Sequence, residues 1–405
     1  MTLVRPERRT KGDIATALVL TIAVLGGAVT LWWFSSARAT ELSPAAEPVD
    51  PAPPARTVPD RLEQVWQAPS SATPHPVLAG PAVVTGQGGE VLGRDPADGE
   101  VRWRYSRGKG LCTVGAEWER AIAVYRTGSH CNAVTSLRGS DGTREPQRNS
   151  DVGAGTRLLS DGNYVTATGS RLLETWRSDL VRTQQYGIPT DIKIPDNNLR
   201  RPECDYSGTA VGDRRVAVIA ECAGSTGDRV TVLKAHPEDN EKPEEVMSTA
   251  LGGERADVVA VTGGRVAVVL RDRQQLAVYD MSGALRESHA VRLGTLPETG
   301  ADVRIEPTTR DGDVYWYTGR DTVALDGETL TPVWTARNTL GPATRMADER
   351  LIPVRDGLAV HDPASGERSR TLALDRAGDA SPVVFPEVVG RTVLEQRGDQ
   401  LFAYR

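Results

Sequence analysis

The chain has 405 residues, 39% of them hydrophobic and 25% charged, with 54 acidic residues against 48 basic and a formal net charge of −6. Setting aside the four basic and two acidic residues among the first 13 leaves 44 basic against 52 acidic, a net charge of −8. That sign is the opposite of what a nucleic-acid binder requires, and no Arg cluster is interleaved with aromatics.

The first element is apolar: 21 residues from Ile14 to Phe34 carry no charge and end in Trp32-Trp33-Phe34. As a helix they span about 30 Å, the thickness of a bilayer's hydrocarbon core, with aromatics at one interface. Arg5, Arg8, Arg9 and Lys11 precede the run, and Arg38 alone follows it closely. The positive-inside rule then puts residues 1–13 in the cytoplasm as a short tail, 14–34 in the cell membrane as a single pass, and the rest outside. Ala37-Arg38-Ala39 offers a small-x-small cleavage site, but the apolar run exceeds the usual signal-peptide core, so a signal anchor is the preferred reading. No Cys lies near the run, which argues against a lipid-anchored protein. From 35 to 60 the chain carries Pro44, Pro48, Pro51, Pro53, Pro54 and Pro59 among Ala, Glu and Asp. This composition predicts an extended linker, a stalk between membrane and folded part.

Residues 61–405 repeat one unit eight times, with a period in the low forties of residues. Turns at Gly80, Glu119, Gly162, Asp213, Gly264, Gly312, Glu349 and Gly390 each open an apolar strand. A second strand follows, often running into Asp and Gly, as in Glu90 to Trp103 and Asp321 to Trp334. Asp accepts bonds from the amides after it and Gly supplies positive φ, so Asp95, Asp280, Asp326 and Asp362 with Gly99, Gly283 and Gly366 are turn formers. Trp103 and Trp334 then put a large ring between neighbouring units. Both registers count eight. They predict an all-β fold, an eight-bladed β-propeller, with seven blades as the alternative. The eighth unit reaches Arg405 after its third strand, and Arg61 to Gln67, with Val65-Trp66 in the place of Val333-Trp334, supplies the missing one. That closure removes an exposed sheet edge.

The form x-L-x-A-x-D-x-x-T/S-G-x-x-x-W resembles the repeats of PQQ-like (quinoprotein-like) propellers. With its N-terminal anchor the chain resembles the actinobacterial membrane-anchored members of that group. Units two to four depart from the form, lacking the terminal Trp. In quinoprotein dehydrogenases the resemblance would imply a bound quinone and a calcium ion held by Glu, Asn and Asp, with a catalytic Asp and often adjacent cysteines. No such set stands out here, so the sequence reads as fold without cofactor.

Four cysteines fall as Cys112 with Cys131 and Cys204 with Cys222, neither at the spacing of a zinc or redox motif. Cys204 and Cys222 are symmetric about Asp213 and so face each other across a hairpin; Cys131 overshoots its mirror position and would bridge Cys112 from the loop after the second strand. Two disulfides fit an oxidising compartment. There is no G-x-S-x-G and no H-E-x-x-H, and His75, His130, His236, His289 and His361 are scattered. Two irregular segments are candidates for specificity. One is 186–202, with Pro189, Pro195, Asn197, Asn198, Arg200 and Arg201 as the candidate partner loop; the other is the acidic stretch His236 to Glu245. The expectation is a monomeric, non-enzymatic interaction module for an envelope protein or wall component. The alternative is a quinone- or metal-dependent enzyme using the central funnel.

Overall fold

The computed structural model describes residues 10–33, 35, 38–153, 155–188, 204–224, 227–240, 242–253, 255–295, 306–376 and 383–405. Its helix, Lys11–Trp33, begins earlier than the apolar run because Thr10 caps it. Asp13 N donates to Thr10 Oγ1 at 3.2 Å and Thr10 N donates to Asp13 Oδ2 at 2.8 Å, a reciprocal capping box. None of its side chains is buried against the rest of the protein.

The described residues after it form eight antiparallel sheets, each a blade. Blade 1 spans 77–106, blade 2 111–149, blade 3 158–187, blade 4 204–250, blade 5 256–290, blade 6 308–336, blade 7 344–373 and blade 8 385–404. Within each blade the chain meanders from an inner strand outward. Hairpin turns joining first to second and third to fourth strands therefore lie on one face of the ring, the turn face. Connections from second to third strand and from blade to blade lie on the other, the loop face.

Blade 8 takes its fourth strand from Gln64–Pro69, which pairs with Gln400–Tyr404. Glu63 and Arg405 exchange both backbone bonds at 2.9 Å. The sequence-derived closure is observed.

Among the described residues the core is divided rather than central. Eight apolar layers lie between neighbouring blades, each drawn from the facing sides of two sheets. Val83 and Val84 show why the second strands read as unbroken apolar runs. Val83 packs with Leu394 and Leu401 of blade 8, while its neighbour Val84 packs with Val114 and Ala121 of blade 2. Both faces of the strand are buried, so alternation with polar residues is lost.

Three junctions are keyed by tryptophan. Trp66, Trp103 and Trp334 donate their indole N–H to Pro96, Gly139 and Pro363 carbonyls at 3.1, 2.7 and 2.9 Å. Each ring covers a turn glycine of the next blade: a Cβ on Gly99, Gly142 or Gly366 would lie within 2.7 Å of ring carbons. These glycines also have φ of +76°, +76° and +68°, so turn geometry and ring contact both demand glycine.

The expected stalk is corrected. Glu41–Ser43 adds a fifth, outermost strand to blade 1, pairing with residues 104–106. The chain then crosses the turn face: Ala45 N and Val49 N donate to Asp141 and Ser140 carbonyls of blade 2, and Ala55 N donates to the Gly390 carbonyl of blade 8. Val49 and Val58 are buried, and Val58 joins the layer between blades 7 and 8. The prolines keep this segment extended, but it is a strap on the ring.

Candidate functional site

The inner strands converge on a central channel of about 2040 Å³, lined by blades 2 to 6 and 8 and by His75 and Pro76 ahead of blade 1. Small and β-branched residues line it because the strands converge there. Gly212 of blade 4 is one requirement, since a Cβ would fall 2.2 Å from the Val261 carbonyl oxygen of blade 5.

At the turn-face mouth the acidic residues are engaged with neighbouring blades. Asp161 Oδ2 accepts from Arg214 N at 2.8 Å, and Asp213 Oδ2 accepts from Gly263 N at 3.0 Å. Glu117 accepts from the Ser160 hydroxyl, and Asp311 accepts from Arg345 and from Arg350, the latter at 2.7 Å. The buried Arg350 also donates to Tyr315 Oη at 2.8 Å. A girdle of carboxylates thus links successive turns. Asp313, behind it, has its pKa raised, first by burial and then by Asp326 and Asp311, with Arg350 opposing. On the wall, Arg310 of blade 6 pairs with Glu387 of blade 8, whose Oε1 accepts from Thr344 of blade 7 at 3.2 Å.

At the loop-face mouth Glu306, which leads into blade 6, and His75, which leads into blade 1, approach to 4.0 Å. Burial raises the Glu306 pKa, and His75 and Arg157 oppose the rise. A carboxyl whose pKa is raised by burial, 4.0 Å from an imidazole, brings two titratable groups together at this mouth. Nothing in the sequence marks the two as neighbours; ring closure brings them together.

Both disulfides form, on the loop face. Cys204 and Cys222 are direct cross-strand partners, as their symmetry about Asp213 requires; Asp213 and Arg214 both have positive φ in the two-residue turn between them. Cys112 on the inner strand of blade 2 bonds Cys131 with a Cα separation of 5.9 Å. Cys131 is not in the loop after the second strand but already on the third strand, opposite Arg126, and the ladder slips by one residue at that point.

The candidate partner loop residues Pro189, Pro195, Asn197, Asn198, Arg200 and Arg201 lie outside the described residues. The loop leaves blade 3 on the loop face and returns at Cys204. The acidic stretch 236–245 is the outer turn of blade 4, on the other face, and much of its charge is matched internally. Lys234 meets Glu244 at 2.5 Å, Lys242 meets Asp239 at 3.0 Å, and Glu238 N donates to Glu244 at 2.7 Å.

Among the described residues no group of three or more His, Cys, Asp or Glu is placed to hold a metal ion. The bridged cysteines are separated by 19 and 18 residues and are not adjacent. These residues do not fit the donor set of a quinone with its calcium ion.

No family model matches the chain, and no curated protein matches it. Solved structures do. BamB from Moraxella catarrhalis is similar with a TM-score of 0.53 at 16% identity, over 85% of this chain and 99% of that one. The computationally designed Ika8 protein is similar with a TM-score of 0.53 at 12% identity, over 84% and 98%. Sqt1 of Saccharomyces cerevisiae is similar with a TM-score of 0.51 at 12% identity, over 87% and 98%. At such identities the likeness is one of fold, and the fold these comparisons support is the β-propeller.

Proposed function

We propose that the chain is a membrane-tethered, extracytoplasmic propeller that acts as a non-enzymatic interaction module of the cell envelope. One observation carries the reading: an unburied apolar helix of 23 residues precedes, by a short connection, a ring stapled by two disulfides. The helix has the length and mean hydropathy, 2.3, of a membrane span. Disulfides suit an oxidising compartment on its far side. The partner surface is the loop face, where the chain leaves blade 3 after Ile188 and rejoins blade 4 at the Cys204–Cys222 staple; a stapled strand pair gives the candidate partner loop one rigid end.

The test is in-cell photocrosslinking from Arg200 and, as the contrasting position, from Ser282 on the turn face. The reading expects a discrete captured product from position 200 alone, in a chain retaining its N-terminal segment in the membrane fraction. Identical capture from both positions defeats the loop assignment, and a soluble chain beginning after Ala39 defeats the tether.

A second reading, an enzyme using the channel, is favoured by one pair, Glu306 beside His75. It requires a channel ligand whose binding Glu306→Gln alters while the photocrosslinking pattern stays the same.

A further inference from the structure

The connection between helix and ring is short and its landing point is defined. Ala39 lies against Gly108, where a Cβ would sit 2.7 Å from the Ala39 Cβ, and the edge strand beginning at Glu41 starts opposite Ser106. Six residue steps separate Trp33 from Ala39, a reach of roughly 22 Å at full extension. The loop-face corner of blades 1 and 2 is therefore held close to the end of the helix.

That corner is basic, on a chain whose net charge is −6. Lys109 lies in the connection from blade 1 to blade 2, and Arg126, next to last in the second strand of blade 2, lies beside it, its N–H bonded to the Gly110 carbonyl. Arg126 and Arg38 are exposed, and Lys109 is half-buried with its ammonium bonded to Thr127 Oγ1 at 3.1 Å. Among the described residues no carboxylate pairs with any of the three. Of the nearby acids, Glu90 pairs with Arg104 at 3.1 Å, leaving Glu41. Arg38 also lies 3.7 Å from the centre of the Trp33 ring, placing a cation at the level of the aromatic end of the helix.

We propose that Arg38, Lys109 and Arg126 form a lipid-docking corner that rests on anionic headgroups of the membrane crossed by the helix. The inference rests on the membrane-tether reading and adds an orientation: the loop face of blades 1 and 2 lies toward the bilayer, and the strapped turn face points away. Cations at an anionic surface act within a Debye length, which the short connection satisfies and a long stalk would not.

The experiment reconstitutes the full chain in phosphatidylcholine vesicles with and without about one-third phosphatidylglycerol, and follows amide hydrogen exchange. In anionic vesicles, exchange in 107–110 and 126–130 slows about fivefold for each docked cation. The protection disappears in K109E/R126E and in high salt, while exchange at the 281–284 turn on the opposite face is unchanged, showing the variant folded. Equal exchange in both vesicle types overturns the docking. Retention after an alkaline wash separates the two failures: a chain that stays but shows no protection refutes the corner alone, and one that washes off refutes the tether and the corner with it.

Discussion

Blades 1 and 2 meet through a tryptophan; blades 2 and 3 meet through an arginine and a carboxylate. At the first junction Trp103, almost wholly buried, covers the Gly142 turn and donates to the Gly139 carbonyl. At the second, Arg148, further along the outer strand, makes the reach to the next turn and donates to the Leu180 carbonyl at 2.7 Å, its guanidinium 5.3 Å from the Trp176 ring. A charge in an apolar layer needs partners, and Glu174, fully buried, supplies them. It lies 3.4 Å from Arg148 and 3.9 Å from Arg182, and accepts from Ser150 Oγ and Trp176 Nε1 at 2.9 and 3.0 Å. One geometric task, spanning from outer strand to neighbouring turn, is met by a self-sufficient ring in one place and a network in the other. The network has more ways to fail.

The largest expected effect is therefore at the network. Glu174→Ala leaves Arg148 and Arg182 short of their counter-charge inside the layer and should cost about 3–5 kcal/mol, read as a lower denaturation midpoint. Glu174→Gln, which keeps the side-chain shape and one acceptor oxygen but removes the charge, should cost less; if the two variants are equally destabilised, the charge itself holds this junction and the retained shape and acceptor add nothing. Trp103→Ala comes next at about 3 kcal/mol, from lost apolar burial and the cavity left behind. It should leave the second junction's amide protection intact, and simultaneous loss at both would show that the layers are not independent.

The smallest effect separates the tryptophan junctions by pH. His361 stacks on Trp334 at 5.8 Å and donates from Nδ1 to the Gly366 carbonyl at 3.0 Å, a contact with no counterpart at Trp103. Burial lowers its pKa from the ordinary 6.5, with the Gly366 bond opposing and Arg368 assisting. The folded ring thus binds this proton less readily than the unfolded chain does. Its contribution is fully present above about pH 6.5 and is lost as pH falls through the folded-state value. Melting temperature should drop between pH 7 and pH 5 in the native chain and drop less in His361→Gln.

Much of this architecture is legible in sequence for a definite reason. The second strands, and in most blades the third, are buried on both faces, so they stand out as apolar runs such as Arg265–Leu270 and Gln275–Asp280. Inner strands are harder to read: Val77–Ala79, Leu158–Ser160 and Thr308–Arg310 are three residues long, and the last two line the channel. Glu174 sits in RLLETW with nothing to mark it as the centre of a network, because Arg148 and Ser150, which join it to Trp176 and Arg182 of its own blade, come from blade 2 and the connection after it. The strap is not legible in the sequence, because Pro-rich composition reports backbone extension and not what the backbone lies on. Val49 and Val58, β-branched apolar residues in a stretch of Pro, Ala and acidic residues, are the available signal.

The clasp between Gln64–Pro69 and Gln400–Tyr404 also sets an order of events. The segment that completes the last blade is among the first of the ring to be synthesised, and its partner is among the last. Long-range pairings of this kind fold slowly and leave sheet edges exposed while they wait. A chain delivered across a membrane in N-to-C order would hold its first strand unpaired through the whole transit. Completing the ring is then a single late step, and escorting the unfinished chain becomes a demand on the compartment that receives it.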